Sequence, residues 1–204
     1  MKALLPAAIV ICFVFGPGSG KSTAQTPDLS QFNLTTKEGV NAAREAIAGR
    51  KLDNRSGNCV RFDKALTAVA VVGDFAYDWG CRFAGVFIQK QYFGKESPGM
   101  SQAALNSLGW KTAGQKQREQ LAESWVEHGL LAFFNVLSET NGDFTGRAFH
   151  PPKTASQRDE TIVSLWIRQP AGRTRGRTYL LREFRFAADG GLSGAVTRDT
   201  FTAP

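Results

Sequence analysis

From residue 36 to 50, apolar positions recur at helical spacing (Val40, Ala43, Ile47), and Thr35 and Glu38 stand three apart ahead of them, as in a capping box. The pattern predicts a helix there, after a polar leader at 25–34 and before a loop at 52–58 rich in Asp, Asn, Gly and Ser. Between 59 and 92 the period shortens to two. Cys59 to Phe62 is a short segment able to pair, and Leu66 to Val72 is apolar and β-branched until Gly73-Asp74 breaks it. Phe75, Tyr77 and Trp79 alternate with Ala76 and Asp78, and Phe83, Val86, Phe87 and Ile88 follow Gly80. An antiparallel meander is predicted, with a helix over 64–73 as the alternative reading of its Ala and Val.

A short helix is predicted over 102–108 and a long one over 115–138, where Leu121, Ala122, Trp125, Val126, Gly129, Leu130, Phe133 and Leu137 share a broad face and Asn141-Gly142 supplies the stop. Residues 143–159, with Pro151-Pro152, read as a polar loop. Three strands close the chain: 161–169, 177–187 with Leu180, Phe184 and Phe186 on one side, and 192–201 after the turn Asp189-Gly190-Gly191.

The order is helix, strands, helices, strands, and the short loops between neighbouring strands imply antiparallel pairing. The expected class is α+β, a curved antiparallel sheet with helices packed on one face. A cone-shaped sheet of the cystatin or nuclear-transport-factor kind is one form this order can take, an analogy of architecture that says nothing of function.

The N-terminus changes the domain picture. Lys2 precedes an apolar run from Ala3 to Phe15, which at 13 residues is shorter than the ~17–25 a membrane-spanning helix needs. Ser22-Thr23-Ala24 then fits a small-x-small cleavage site. Residues 1–24 are read as an export signal, 25–34 as a leader and 35–204 as one α+β domain, periplasmic or secreted and without a transmembrane segment once cleaved. Gly16 to Thr23 ends like a phosphate-binding loop, but only three residues separate Gly16 from Gly20 and no strand–helix context flanks it, so no nucleotide is expected. Cleavage removes Cys12 and leaves Cys59 and Cys81, a lone pair expected to join as a disulfide in an oxidising compartment.

The formal charge of +7 becomes +5 when Lys2 and Lys21 leave, and residues 168–204 hold +4 of it. Its centre is the segment Gln169 to Arg177, where Arg173, Arg175 and Arg177 alternate with small residues and can fork onto carboxylate or phosphate oxygens. Trp166 and Tyr179 flank them as stacking candidates. Anionic glycan, a lipid headgroup or an acidic protein fits this region better than nucleic acid, which an exported protein rarely meets.

Candidate chemistry is thin. Two His far apart and no Cys-x-x-Cys give no zinc pattern, and no cofactor is implied. Ser124 and His128 stand one helical turn apart with Glu127 nearby, but no acid is evident to orient the ring, and a surface His is the plainer reading. Asp74 and Asp78 point to one side of a strand by period two and would suit acid–base work if a pocket gathered them. The leading reading is a non-enzymatic exported domain that binds a small ligand or a protein through its sheet face or its Arg hairpin. The alternatives are a hydrolase-like enzyme using Asp74 and Asp78, and attachment to anionic surfaces through the Arg hairpin.

Overall fold

The computed structural model describes residues 27–76, 80–95, 97–132, 137–138, 143–144, 147–168 and 177–203. Helix α1 spans Lys37–Ala48 and ends on Gly49, whose positive φ of 64° is a conformation glycine adopts without strain. Its cap is Thr36, one residue later than the capping box suggests: Thr36 accepts from the Gly39 N–H, while Thr35 is drawn back onto the Asn33 side chain. A Cβ on Gly39 would run into the Asn33 carbonyl, so only glycine lets the leader fold this closely against the helix. A single short turn, α2 (Asn54–Gly57), forms inside the expected loop, capped by Asp53.

Strands β1 (Val60–Phe62), β2 (Val69–Ala76), β3 (Gly80–Ile88) and β4 (Gln91–Gly94) make an antiparallel meander in that spatial order. Lys64–Leu66 is a 3-10 turn, and β2 begins at Val69, so a helix over 64–73 does not form. Gly73-Asp74 does not end the strand. The pairing shifts by one residue between Val72 and Gly73, with Ala84 as the extra residue of β3, so a bulge absorbs the glycine and β2 runs on to Ala76. Tyr77, Asp78 and Trp79 lie outside the described residues.

Helix α3 (Met100–Ser107), a 3-10 turn at Trp110–Thr112 and helix α4 (Gln115–Ser124) follow. Helix α4 widens into a π-helical turn over Trp125–Leu130. A Cβ on Gly129 would strike the Trp125 ring, and the buried indole donates to Ser101 Oγ at 3.0 Å, so Trp125 lies across the glycine and docks the turn on α3. The expected helix to 138 therefore stops at Leu130, and Leu137–Ser138 is strand β5. Gly129 to Phe134 is apolar without interruption, and such a run has no period to separate buried helix from strand.

The expected polar loop at 143–159 contains three strands, β6 (Asp143–Phe144), β7 (Arg147–Ala148) and β8 (Lys153–Gln157). Strand β8 is exposed along most of its length, so it lacks apolar alternation and is held by its pairing with β9. The closing strands β9 (Glu160–Arg168), β10 (Arg177–Phe186) and β11 (Leu192–Ala203) form an antiparallel ladder as the sequence implies.

The class is α+β with antiparallel pairing, and the strands divide between two principal sheets, β1–β4 and a five-stranded sheet of order β11-β10-β9-β5 with β8 also on β9. Helices cover both faces of the first sheet. Val40 and Ala43 of α1 pack on Ala70, Val72 and Phe87, while Val69, Val71, Val86 and Ile88 face the main core. The cause is β2 itself: Val69 to Gly73 is buried without interruption, so both faces of the strand need cover. The main core joins the two sheets through Met100, Leu105, Trp110, Trp125, Val163, Leu165, Phe184 and Phe186. No helix of the described residues is long and apolar enough to cross a membrane.

Candidate functional site

On β10, side chains alternate between the core and the outer face. Leu180, Arg182, Phe184 and Phe186 share one side by period two, and Arg182 is the only charge among them. A cleft of about 510 Å³ opens there between the two sheets, lined by Leu180, Arg182, Phe184 and Ile167 of the second sheet, by Phe83 of the first, and by Lys95, Met100, Leu130 and Leu131. The guanidinium donates through Nη1 to Thr197 Oγ1 at 2.9 Å and lies 5.9 Å from the centre of the Phe184 ring. Pairing shifts at this point: Leu181 faces Asp199 and Arg182 faces Thr197, leaving Arg198 as the extra residue of a bulge in β11.

Arg198 reaches the outer face, where it donates to both oxygens of Glu183 at 3.0 and 2.7 Å, and Arg185 donates to Glu183 and Glu160. The Arg198 hydrogen bonds, reinforced by Arg185, hold the Glu183 carboxyl below its usual range against the opposing effect of burial. A carboxylate whose folded pKa lies below its unfolded value adds stability above the unfolded value and loses it as pH falls through the folded one. Glu183→Gln should therefore be less stable than the parent at neutral pH in urea unfolding, with the gap closing on acidification below the ordinary carboxylate range. A gap constant with pH would show that the ladder does not stabilise the sheet.

The residues singled out in the sequence have scattered. Cys59 and Cys81 are joined as a disulfide, with Cα atoms 5.6 Å apart. Trp166 and Tyr179 do lie together on the outer face of the second sheet, but at 4% and 5% exposure. Phe149 packs on both, with ring centres 5.2 and 4.8 Å away, and Phe201 stacks on Tyr179 at 5.9 Å. The stacking surface expected of them is covered by Phe149 and Phe201. Arg173 and Arg175 lie outside the described residues, and Arg177 opens β10 opposite Ala203.

Asp74 does not line the inter-sheet cleft. Its side chain is 71% exposed and receives the buried Arg44 at 3.2 Å, while Asp78 lies outside the described residues. His128 has an acid that sequence spacing hides: its Nδ1 lies 2.9 Å from Asp63 Oδ2. Burial raises the Asp63 carboxyl, but the Ala65 N–H, His128 and Arg61 together outweigh it and hold the group low. Sixty-five positions separate the two residues, and no local signal links them. Among the described residues nothing bonds His128 to Ser124, so the pair joins the 3-10 turn to the π turn without assembling a nucleophile. Nor do three His, Cys, Asp or Glu side chains of the described residues converge as metal ligands.

A second groove of about 550 Å³ runs along Phe32, Leu34, Phe62, Ala68 and Phe87, with Lys90 at its lip. Lys90 and Gln89 form the β3–β4 turn with positive φ of 68° and 46°, a left-handed conformation that costs non-glycine residues some strain. Of the two grooves, only the inter-sheet cleft places a charged side chain among apolar walls with a defined hydrogen bond. In comparisons with models of known families, with curated proteins and with solved structures, the chain matches none, and the reading of the cleft rests on its own residues.

Proposed function

We propose that this is an exported, non-enzymatic domain that binds a small, mostly apolar molecule in the cleft between its two sheets. The observation that carries the reading is the cleft itself. Its volume lies within the ~300–1,000 Å³ of small-molecule sites, its walls are aliphatic and aromatic, and no carboxylate, histidine or cysteine of the described residues lines it. Acid–base chemistry needs titratable groups at the reacting atoms. Here Asp74 is engaged at the surface and His128 is turned to Asp63. Export is supported by the short apolar run before Ala24 and by a Cys59–Cys81 bond suited to oxidising surroundings.

The test uses a neutral, environment-sensitive probe, N-phenyl-1-naphthylamine. Saturable fluorescence enhancement at one site is expected, lost in Leu180→Trp, which fills the cleft, while that variant keeps the parent's circular dichroism. Absence of saturable binding, or binding untouched by Leu180→Trp, would overturn the proposal. Export is checked by the mass of the secreted chain, expected to begin at Gln25.

A further inference from the structure

Arg182 is the anomaly of the cleft. Two arginines on the outer face of the same sheet have carboxylate partners: Arg198 holds Glu183, and Arg185 holds Glu183 and Glu160. Arg44 and Arg61 elsewhere likewise meet Asp74 and Asp63. Arg182, turned inward between Leu180 and Phe184, has a neutral hydroxyl, Thr197 Oγ1, and a ring face, and no carboxylate of the described residues within ion-pair distance. The contact with Thr197 is exposed, so the half-buried guanidinium stands at the open side of the cleft, where an anion can take the place of water on its remaining donors. With Nη1 on Thr197, the Nε–Nη2 edge is the remaining two-point donor, and that edge matches the spacing of carboxylate oxygens.

Building on the cleft reading above, we infer that the ligand is a single-chain amphiphile ending in a carboxylate, its chain along Phe83, Met100, Leu131 and Phe184 and its head group on Arg182. The size agrees. At about 30 Å³ per water-sized group, a methylene being of similar size, 510 Å³ is room for on the order of seventeen groups, enough for one alkyl chain with its head group.

The experiment displaces N-phenyl-1-naphthylamine from the whole protein with dodecanoate, dodecanol and dodecyltrimethylammonium, each below its micelle-forming concentration. Dodecanoate is expected to displace the probe at a concentration at least tenfold lower than dodecanol, and the cation to be weakest. Arg182→Met should abolish the dodecanoate preference while probe and dodecanol binding persist, and Arg182→Lys should keep part of it. If the probe binds but dodecanoate is no better than dodecanol, or the preference survives Arg182→Met, the carboxylate assignment is wrong and the cleft reading stands. If the probe does not bind, both fall. Arg182-dependent sedimentation with phosphatidylglycerol vesicles, in place of displacement by free dodecanoate, would assign Arg182 to a membrane surface and overturn the inference.

Discussion

Arg44→Met should lower the unfolding free energy by about 3–4 kcal/mol, because the charged-donor hydrogen bonds it removes are worth ~1.5–3 kcal/mol each. Arg44 sits on α1 at 7% exposure, and its guanidinium serves three partners on two other elements. It donates to the Ser56 carbonyl of α2 at 3.0 Å, to the Gly73 carbonyl at the β2 bulge at 2.7 Å, and to Asp74 at 3.2 Å. Methionine would occupy much of the volume but leave both carbonyls without the donor the fold provides, and buried acceptors left unpaired are costly. The ion pair is the lesser part, since Asp74 is largely exposed and water screens it. Asp74→Asn should accordingly change stability by less than about 1 kcal/mol. Equilibrium unfolding in urea separates the two variants. An Arg44→Met value within the error of Asp74→Asn would mean that the carbonyl network does not join α1 to the first sheet.

Opening the Cys59–Cys81 bond should cost about 3 kcal/mol, the loop-closure entropy of a cross-link spanning 22 residues. For a chain of this size that is a fall in melting temperature of roughly 6–12 °C. The bond ties the residue before β1 to β3, joining the buried Cys59 to the half-buried Cys81, so the reduced protein loses a constraint on the meander. Cys59→Ala with Cys81→Ala should reproduce the melting temperature of the reduced parent and show no further response to dithiothreitol. A double variant as stable as the oxidised parent would show that the meander forms independently of the bond.

The parts of the fold legible in the chain are those whose signal is local. Helix α1 shows in the spacing of Val40, Ala43 and Ile47, and the three closing strands show in their alternation and in Asp189-Gly190-Gly191. The pairing of Cys59 with Cys81 shows because they are the two cysteines left beyond the apolar N-terminal run. Arg182 carried a readable signal too: a charge at a period-two position between Leu180 and Phe184 breaks the apolar face, and such a break marks an inward cation.

Hydrogen-bond geometry between distant segments has no such local trace. That α4 widens into a π turn and Leu137–Ser138 is a strand was decided by the docking of Trp125 on Ser101 and by β5 finding the edge of β9. The polar residues of β8 became a strand only because β9 offered an edge, and Asp63 met His128 only because the 3-10 turn lies against the π turn. Composition, period and punctuation thus determined the class of the protein, its principal elements and its covalent link. Which faces came together, and hence where a cleft lay and which arginine stood in it without a carboxylate, was decided by tertiary packing, because burial depends on partners tens of residues away that no window of sequence contains.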